Sequence, residues 1–186
     1  MSAVNTNITE LHNYLIASSA VIPVFAFPEW KYGRLLNEVL VYDDTFSKDF
    51  KTEGVNRNVL GMVGTGYLDG KMLLSKHALE LGFNNQSDKN NTAIHEFVHL
   101  IDKADGDIDG VPKLLLDKQY VIPWIDMVYE EMEASKIKNS DINAYGYTNK
   151  TEFFAVIAEY FFERPDLFSK KHPKLFEMMS KVFKQK

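Results

Sequence analysis

A pentapeptide in the middle of the chain, His95-Glu96-Phe97-Val98-His99, has the residue types and the spacing of a catalytic metal site. Residues four apart on an α-helix lie on one face about one turn apart, so both imidazoles can bind a single ion. Glu96 adjoins the first imidazole and can take a proton from a water that a zinc ion has acidified to a pKa of about 7. The pattern predicts zinc-dependent hydrolysis with Glu96 as the general base.

The residues around this pentapeptide are apolar, which predicts a helix that is buried on most sides and turns its two histidines toward a cavity. The alternative is that the pattern is accidental, that His95 and His99 are core residues, and that the chain is a helical interaction module. Unpaired polar groups are costly to bury, which favours the metal site.

A catalytic zinc ion usually has three protein ligands and keeps a fourth position for water, so a third ligand is expected downstream. The chain has no cysteine, which leaves histidine, aspartate and glutamate. Glu152 and Glu159 are seven residues apart on a predicted helix, so they share a face and either could point at the metal. The position of Glu152 in the first helical turn favours it. His172 has no partner at ligand spacing and is interpreted as a surface or packing residue.

Tyr145 precedes Glu152 by seven residues, in a loop-like stretch that leads into the same helix. Its phenol could donate a hydrogen bond to the oxyanion of a tetrahedral intermediate. An aromatic ring that packs on the core with its hydroxyl in water is an equally good interpretation of this residue alone.

Four segments, residues 95–102, 105–112, 142–147 and 151–168, closely resemble the Mlc titration factor A family of zinc peptidases. Tyr145 is followed seven residues later by Glu152-Phe153-Phe154. This arrangement is also similar to that in the catalytic domain of anthrax lethal factor. The resemblance covers the C-terminal half of the chain, and its combined motifs are far more specific than the pentapeptide alone.

This resemblance implies a gluzincin, with zinc on His95, His99 and Glu152. It implies catalysis by Glu96 and a supporting hydrogen bond from Tyr145. Of the two glutamates on the predicted helix, the one in the first turn matches the ligand of the family.

Asp102 matches an acidic position that follows the motif of the family, and the resemblance implies that it orients a ligand imidazole. A solvated acid at the helix end is the alternative. The link of the family to a glucose-responsive repressor is not carried over, because no residue of this chain can be assigned to that contact.

Composition limits the partners. The 21 basic and 26 acidic side chains give a net charge of -5 and form no long run of one sign, so no nucleic-acid partner is expected. The longest apolar stretch, residues 14–27, is shorter than the roughly 20 residues needed to cross a bilayer, so it is expected to be buried core and no membrane contact is expected.

The N-terminal residues lack a basic secretory n-region, which predicts a cytoplasmic location. The expected partner is a peptide or protein substrate, and the sequence leaves the oligomeric state open.

We expect one α+β, zincin-like domain over residues 1–186, with a mixed α/β part (1–91) and a helical metal-binding part (92–186). A small mixed sheet is expected beside the metal helix, and mostly helices after it. The periodicity of apolar residues and the turn signals predict a helix over 7–16, strands over 36–42, 59–63 and 71–74, and helices over 92–103, 120–136, 151–163 and 173–184.

Glycines at 64, 66 and 70 predict a hairpin shortly before the metal helix. An exposed strand edge can hold a peptide in an extended conformation, and residues 72–75 are the predicted edge. An ordinary edge strand without a ligand is the alternative for this segment. For the whole chain, the alternative to a peptidase is a non-catalytic metal-binding or regulatory protein, in which Glu96 would have no role.

Overall fold

The computed structural model describes residues 1–85, 88–135 and 140–185. In chain order its strands and helices are β1 (Ser2–Val4), α1 (Glu10–Val21), β2 (Glu38–Tyr42), β3 (Gly61–Val63), β4 (Lys71–Ser75), α2 (Lys76–Asn84), α3 (Thr92–Asp102), α4 (Lys118–Ser135), α5 (Lys150–Glu163), α6 (Pro165–Lys171) and α7 (Pro173–Phe183). The predicted α+β class, with a small sheet in the first half and helices in the second, is confirmed.

The four strands form one mixed sheet in the order β1-β2-β4-β3. β1, β2 and β4 are parallel, whereas β3 is antiparallel to β4 and lies at one edge. The predicted hairpin is therefore present. The prediction that residues 72–75 form a free edge is wrong, because β4 is paired on both sides and the edge strand is β3.

α3 begins after Asn91, whose side-chain oxygen accepts a hydrogen bond from the backbone N–H of Ile94 at 3.2 Å, an N-cap that satisfies one of the free donors of the first turn. Every residue from Ala93 to Asp102 is buried. The helix lies between two apolar clusters, one shared with the sheet and one shared with the C-terminal helices. The pentapeptide is therefore held from both sides.

α5 begins in the same way, since the side chain of Asn149 accepts a hydrogen bond from the backbone N–H of Glu152 at 2.9 Å. The middle of the helix is buried, with Phe153, Phe154 and Ile157 fully enclosed. α5 packs against α3, which brings the first turn of α5 to the histidine face of α3. Phe161 is buried in the same apolar cluster, and Phe162 packs against it.

The structure differs from the sequence predictions in the exposure of one apolar stretch and in three elements that were not predicted. The apolar stretch 14–27 is only partly core, because Tyr14 is 67% and Phe25 75% exposed on one side of α1 and the turn after it. β1, α2 and α6 were not predicted. Lys136, the predicted end of α4, lies outside the described residues, as do residues 86 and 87 of the polar loop before α3. None of the helices in the described part of the chain combines the length and the apolar character needed to span a bilayer.

Candidate metal centre

Three side chains from two helices bring one ligand atom each to a common point. The Nε2 atoms of His95 and His99 are 3.0 Å apart, and Oε2 of Glu152 lies 2.9 Å from the first and 3.4 Å from the second. Within residues 1–85, 88–135 and 140–185, no other group of three or more histidine, aspartate or glutamate side chains brings its ligand atoms within 4.8 Å of one another.

These separations fit a tetrahedral metal ion. Zinc bonds of about 2.0–2.1 Å to nitrogen and oxygen place the ligand atoms about 3.3 Å apart at tetrahedral angles. Two imidazoles and one carboxylate, with no cysteine in the chain, are a donor set that suits a catalytic zinc ion with one position left for water. The residues present therefore fit the metal that the sequence predicts.

Glu159 lies on the opposite side of the first imidazole. Its Oε1 is 2.6 Å from Nδ1 of His95, and its Oε2 accepts a hydrogen bond from the backbone N–H of Asn91 at 2.6 Å. A proton on Nδ1 leaves the Nε2 lone pair free for a metal. The two glutamates of α5 thus share a face, as expected, but only Glu152 reaches the common point, and Glu159 orients the histidine.

The charges at the site follow from these contacts. Burial acts to lower the pKa of His95, but the carboxylates of Glu159 and Glu152 outweigh it and raise that pKa well above the usual value. Burial acts to raise the pKa of Glu152, but its hydrogen bonds with His95 and His99 outweigh it and lower that pKa. The carboxylates around His95 therefore favour a positive charge at this position, which a proton on the imidazole supplies when no metal ion is bound.

Glu96 is 5% exposed and lines the same cleft without joining the ligand group. Burial raises the pKa of its carboxyl, although the imidazoles of His95 and His99 oppose the shift. A carboxylate with a raised pKa is better matched to accept a proton near neutral pH than one in water.

Tyr145 lies on a short 3-10 turn, Ala144–Thr148, that leads into α5. The side chain of Asn143 accepts a hydrogen bond from the backbone N–H of Tyr145 at 3.0 Å. The ring centroid of Tyr145 is 6.1 Å from that of His95. Burial, followed by the charge of Glu152, raises the pKa of Tyr145 to about 12. The phenol is therefore protonated at neutral pH and can donate a hydrogen bond into the cleft.

Asp102 is fully buried at the end of α3. Its Oδ2 accepts a hydrogen bond from the backbone N–H of Gly110 at 2.8 Å, and burial raises the pKa of its carboxyl to about 6. Neither Asp102 Oδ1 nor His99 Nδ1 has a hydrogen-bond partner among the described residues. Asp102 therefore makes no hydrogen bond to His95 or His99 in this structure, and its role in orienting an imidazole stays a prediction. The carboxylate that does contact an imidazole nitrogen away from the common point is that of Glu159, at Nδ1 of His95.

A cleft of about 740 Å³ opens in front of the ligand group. One wall is the edge strand β3, and another is formed by α2, which contributes Ala78, Leu81 and Gly82. The floor holds the ligand residues and Glu96. A cleft bounded by a free strand edge and a buried carboxylate can hold an extended chain beside the candidate metal position.

A helix with a His-Glu-x-x-His pentapeptide beside a small mixed sheet, and a glutamate from a later helix at the same point, define a zincin-like metallopeptidase domain. The comparison with known families agrees. The chain belongs to the glucose-regulated metallo-peptidase M90 family, whose model matches residues 1–184, and the resemblance seen in the sequence is thereby confirmed.

Individual relatives extend over most of the chain. A protein named Mlc titration factor A from Escherichia fergusonii is 30% identical over 190 residues, which cover 94% of this chain and 69% of the relative. A protein of the same name from Klebsiella pneumoniae subsp. pneumoniae is 28% identical over 191 residues, covering 96% of this chain and 70% of the relative.

Proposed function

We propose that this protein is a zinc-dependent peptidase in which His95, His99 and Glu152 hold the ion and Glu96 is the general base. The observation that supports the proposal is the convergence of three ligand atoms within 4.8 Å of one another. A buried carboxylate that is not one of the ligands lies beside them in an open cleft. A structural metal site would need no such base.

The residues have separate tasks in this proposal. A zinc ion at the ligand group supplies Lewis acidity, which polarises the scissile carbonyl and lowers the pKa of water. Glu96 removes a proton from the attacking water and passes it to the nitrogen of the leaving amine. The phenol of Tyr145 donates a hydrogen bond to the oxyanion that forms on the substrate carbonyl. The cleft holds the peptide extended along the edge of β3.

A Glu96→Gln variant tests this assignment. Glutamine keeps the shape of the side chain but cannot accept the proton, so we expect turnover to fall by about 10²- to 10⁴-fold. Zinc content should stay equal to that of the parent protein, because Glu96 is not a ligand. Cleavage is measured by mass spectrometry on a peptide mixture and on an unfolded protein, and zinc by elemental analysis.

Glu177→Gln is the matched control for this experiment. Glu177 is on α7, has no place in the cleft and is paired with Lys181 at 2.8 Å, so this variant should cleave at the parental rate. A Glu96→Gln protein that is as active as the parent would reject the proposed base.

The name of the relatives supports one alternative. It connects those proteins with a partner called Mlc, so the alternative for this chain is a protein-binding domain that holds zinc without turnover. A protein that binds one equivalent of zinc and cleaves neither peptides nor unfolded proteins would favour this alternative over the peptidase.

A further inference from the structure

Gly61 is the first residue of the edge strand β3, and it faces the general base. On β3, side chains alternate between the two faces of the sheet. Val63 packs against the cluster that contains Phe97 of α3, whereas Met62 packs against a cluster on the other face. Gly61 shares the face of Val63, so its missing side chain would point toward α3.

The space at this position is already filled by α3. A β-carbon added at Gly61 would lie 2.7 Å from both Cγ and Oε1 of Glu96 and 2.7 Å from Cγ2 of Thr92, closer than non-bonded carbon atoms approach at their optimal separation of about 3.5–4.0 Å. The strand can therefore lie against the base only because residue 61 has no side chain.

The backbone of the strand does not require glycine here. Gly61 is not among the residues with positive φ, and glycine inside a strand is unfavourable relative to residues with a side chain. A glycine in such a place commonly marks a close approach of another group. At Gly61 that group is the carboxylate of Glu96.

The same residue presents its backbone to the cleft. Ser75 donates its backbone N–H to the carbonyl of Leu60 at 2.7 Å, and Gly61 is the next residue along β3. In an antiparallel pair, hydrogen-bonded and non-hydrogen-bonded residues alternate. The N–H and C=O of Gly61 therefore point away from β4 and toward the free edge, where an extended peptide would pair.

We propose that Gly61 is a positioning residue that sets the distance between Glu96 and a peptide bound along β3. The inference rests on the proposed peptidase function. A side chain at position 61 pushes either the carboxylate or the strand out of place, so the base and the substrate no longer meet. Because a displacement of about 1 Å at a reacting group can cost about 10²-fold in rate, the absence of one methyl group has a catalytic consequence.

The variant Gly61→Ala tests the consequence for turnover. We expect kcat to fall by about 10²-fold while the zinc dissociation constant stays within about threefold of the parent, because no ligand atom is touched. Gly64→Ala is the matched control, since residue 64 lies just after β3 and the atom nearest to its β-carbon would belong to the side chain of Leu68, at 3.3 Å. It should keep parental kcat. A Gly61→Ala protein with parental kcat would overturn the proposal.

A double-mutant cycle tests the contact itself without any assay of activity. Gly61→Ala and Glu96→Ala are made singly and together, in a Thr92→Ser background that removes the close atom of Thr92, and unfolding is measured in urea on the metal-free proteins. If Gly61 makes room for Glu96, the change in the unfolding constant caused by Gly61→Ala should be about tenfold smaller when residue 96 is alanine. Equal changes in both backgrounds would overturn the proposal.

The two experiments also separate this inference from the proposed function. A parent protein that holds zinc but cleaves nothing would reject the peptidase, whereas the unfolding cycle would still measure whether residue 61 controls the position of Glu96. An active parent protein whose cycle shows no coupling would reject the role of Gly61 and leave the peptidase intact.

Discussion

At the scale of single residues, the two glutamates of α5 make different contacts at the candidate metal site. Glu152 contributes an oxygen to the common point, and Glu159 holds the far nitrogen of His95. Glu159 also accepts the backbone N–H of Asn91, the residue that caps α3. One carboxylate therefore fixes the orientation of an imidazole and the start of the helix that carries it.

We predict that Glu159→Gln weakens zinc binding by about 10- to 100-fold, the usual effect of losing an outer carboxylate on a metal-bound histidine. Glutamine has one acceptor oxygen, so it can accept a hydrogen bond from His95 or from Asn91 but cannot reproduce both contacts. The dissociation constant is measured by competition with a zinc-binding dye.

The control is Glu163→Gln, one turn further along α5. Glu163 accepts a hydrogen bond from the side-chain amide of Asn91 at 3.0 Å and has no contact with an imidazole, and glutamine can still accept that bond. Zinc affinity close to the parental value in both variants would show that Glu159 has only a packing role.

At the scale of elements, α3 and α5 were predictable because each carries a boundary signal of its own. Asn91 precedes the apolar period of α3, and Pro165 follows the end of α5. The two helices that were not predicted, α2 and α6, have no boundary signal that separates each of them from the element before it. α2 follows β4 directly with Ser75 as its cap, and α6 begins at the proline that was interpreted only as a stop, although proline also starts helices well.

Contacts between distant elements were less predictable. The hairpin of β3 and β4 is local, whereas the pairing of β4 with β2 joins segments more than thirty residues apart, and nothing in the sequence of either strand specifies it. The free edge was therefore assigned to the wrong strand. The choice between Glu152 and Glu159 likewise depends on how α5 packs on α3, which a seven-residue spacing cannot specify.

A second carboxylate joins the elements around the site. Asp141 lies just before the turn of Tyr145, and its Oδ2 accepts hydrogen bonds from Lys89 and the hydroxyl of Tyr160, each at 2.7 Å. Its Oδ1 is 2.7 Å from Nε2 of His172. These partners belong to the segment before α3, to α5 and to the junction of α6 and α7, so one side chain connects all three to the turn of Tyr145.

We predict that Asp141→Asn lowers the free energy of unfolding at pH 7 by about 1.5–3 kcal/mol, the usual worth of hydrogen bonds to a charged group. Burial acts to raise the pKa of Asp141, but the hydrogen bonds from Lys89, Tyr160, His172 and a neighbouring lysine outweigh it and hold that pKa far below its usual value. A depressed pKa in the folded state stabilises the protein above the unfolded-state pKa of about 3.9, and this contribution is lost as the pH falls below that value.

The difference between the parent and Asp141→Asn should therefore narrow below about pH 4. Urea unfolding from pH 7 down to pH 2.5 measures it. A surface control is Glu177→Gln. The Glu177 side chain is 71% exposed, and removal of its charge should change stability by less than about 0.5 kcal/mol at any pH. A difference for Asp141→Asn that is independent of pH would contradict the assigned charge.

At the scale of the whole molecule, α3 is the element that both apolar clusters share. Its Phe97 packs with the sheet, and its Val98 packs with the C-terminal helices. Two of the three candidate ligands, His95 and His99, lie on α3, and the third, Glu152, lies on α5, a helix of the C-terminal cluster. We therefore propose that residues 1–186 behave as one domain whose two clusters unfold together.

Zinc should then stabilise the entire chain, because an ion that binds only the folded state adds RT ln(1 + [Zn]/Kd) to the free energy of unfolding, or about 2.7 kcal/mol at one hundred times Kd. For a chain of this size we predict a rise in Tm of about 5–11 °C in a single calorimetric transition, reversed by a chelator. Magnesium at the same concentration should have no effect, since it prefers six oxygen ligands, and His99→Ala should abolish the zinc response.

Two calorimetric transitions, of which only one shifts to higher temperature with zinc, would refute the single domain, because α3 could not then belong to both clusters as they unfold. An unchanged Tm in the parent protein would refute the metal site.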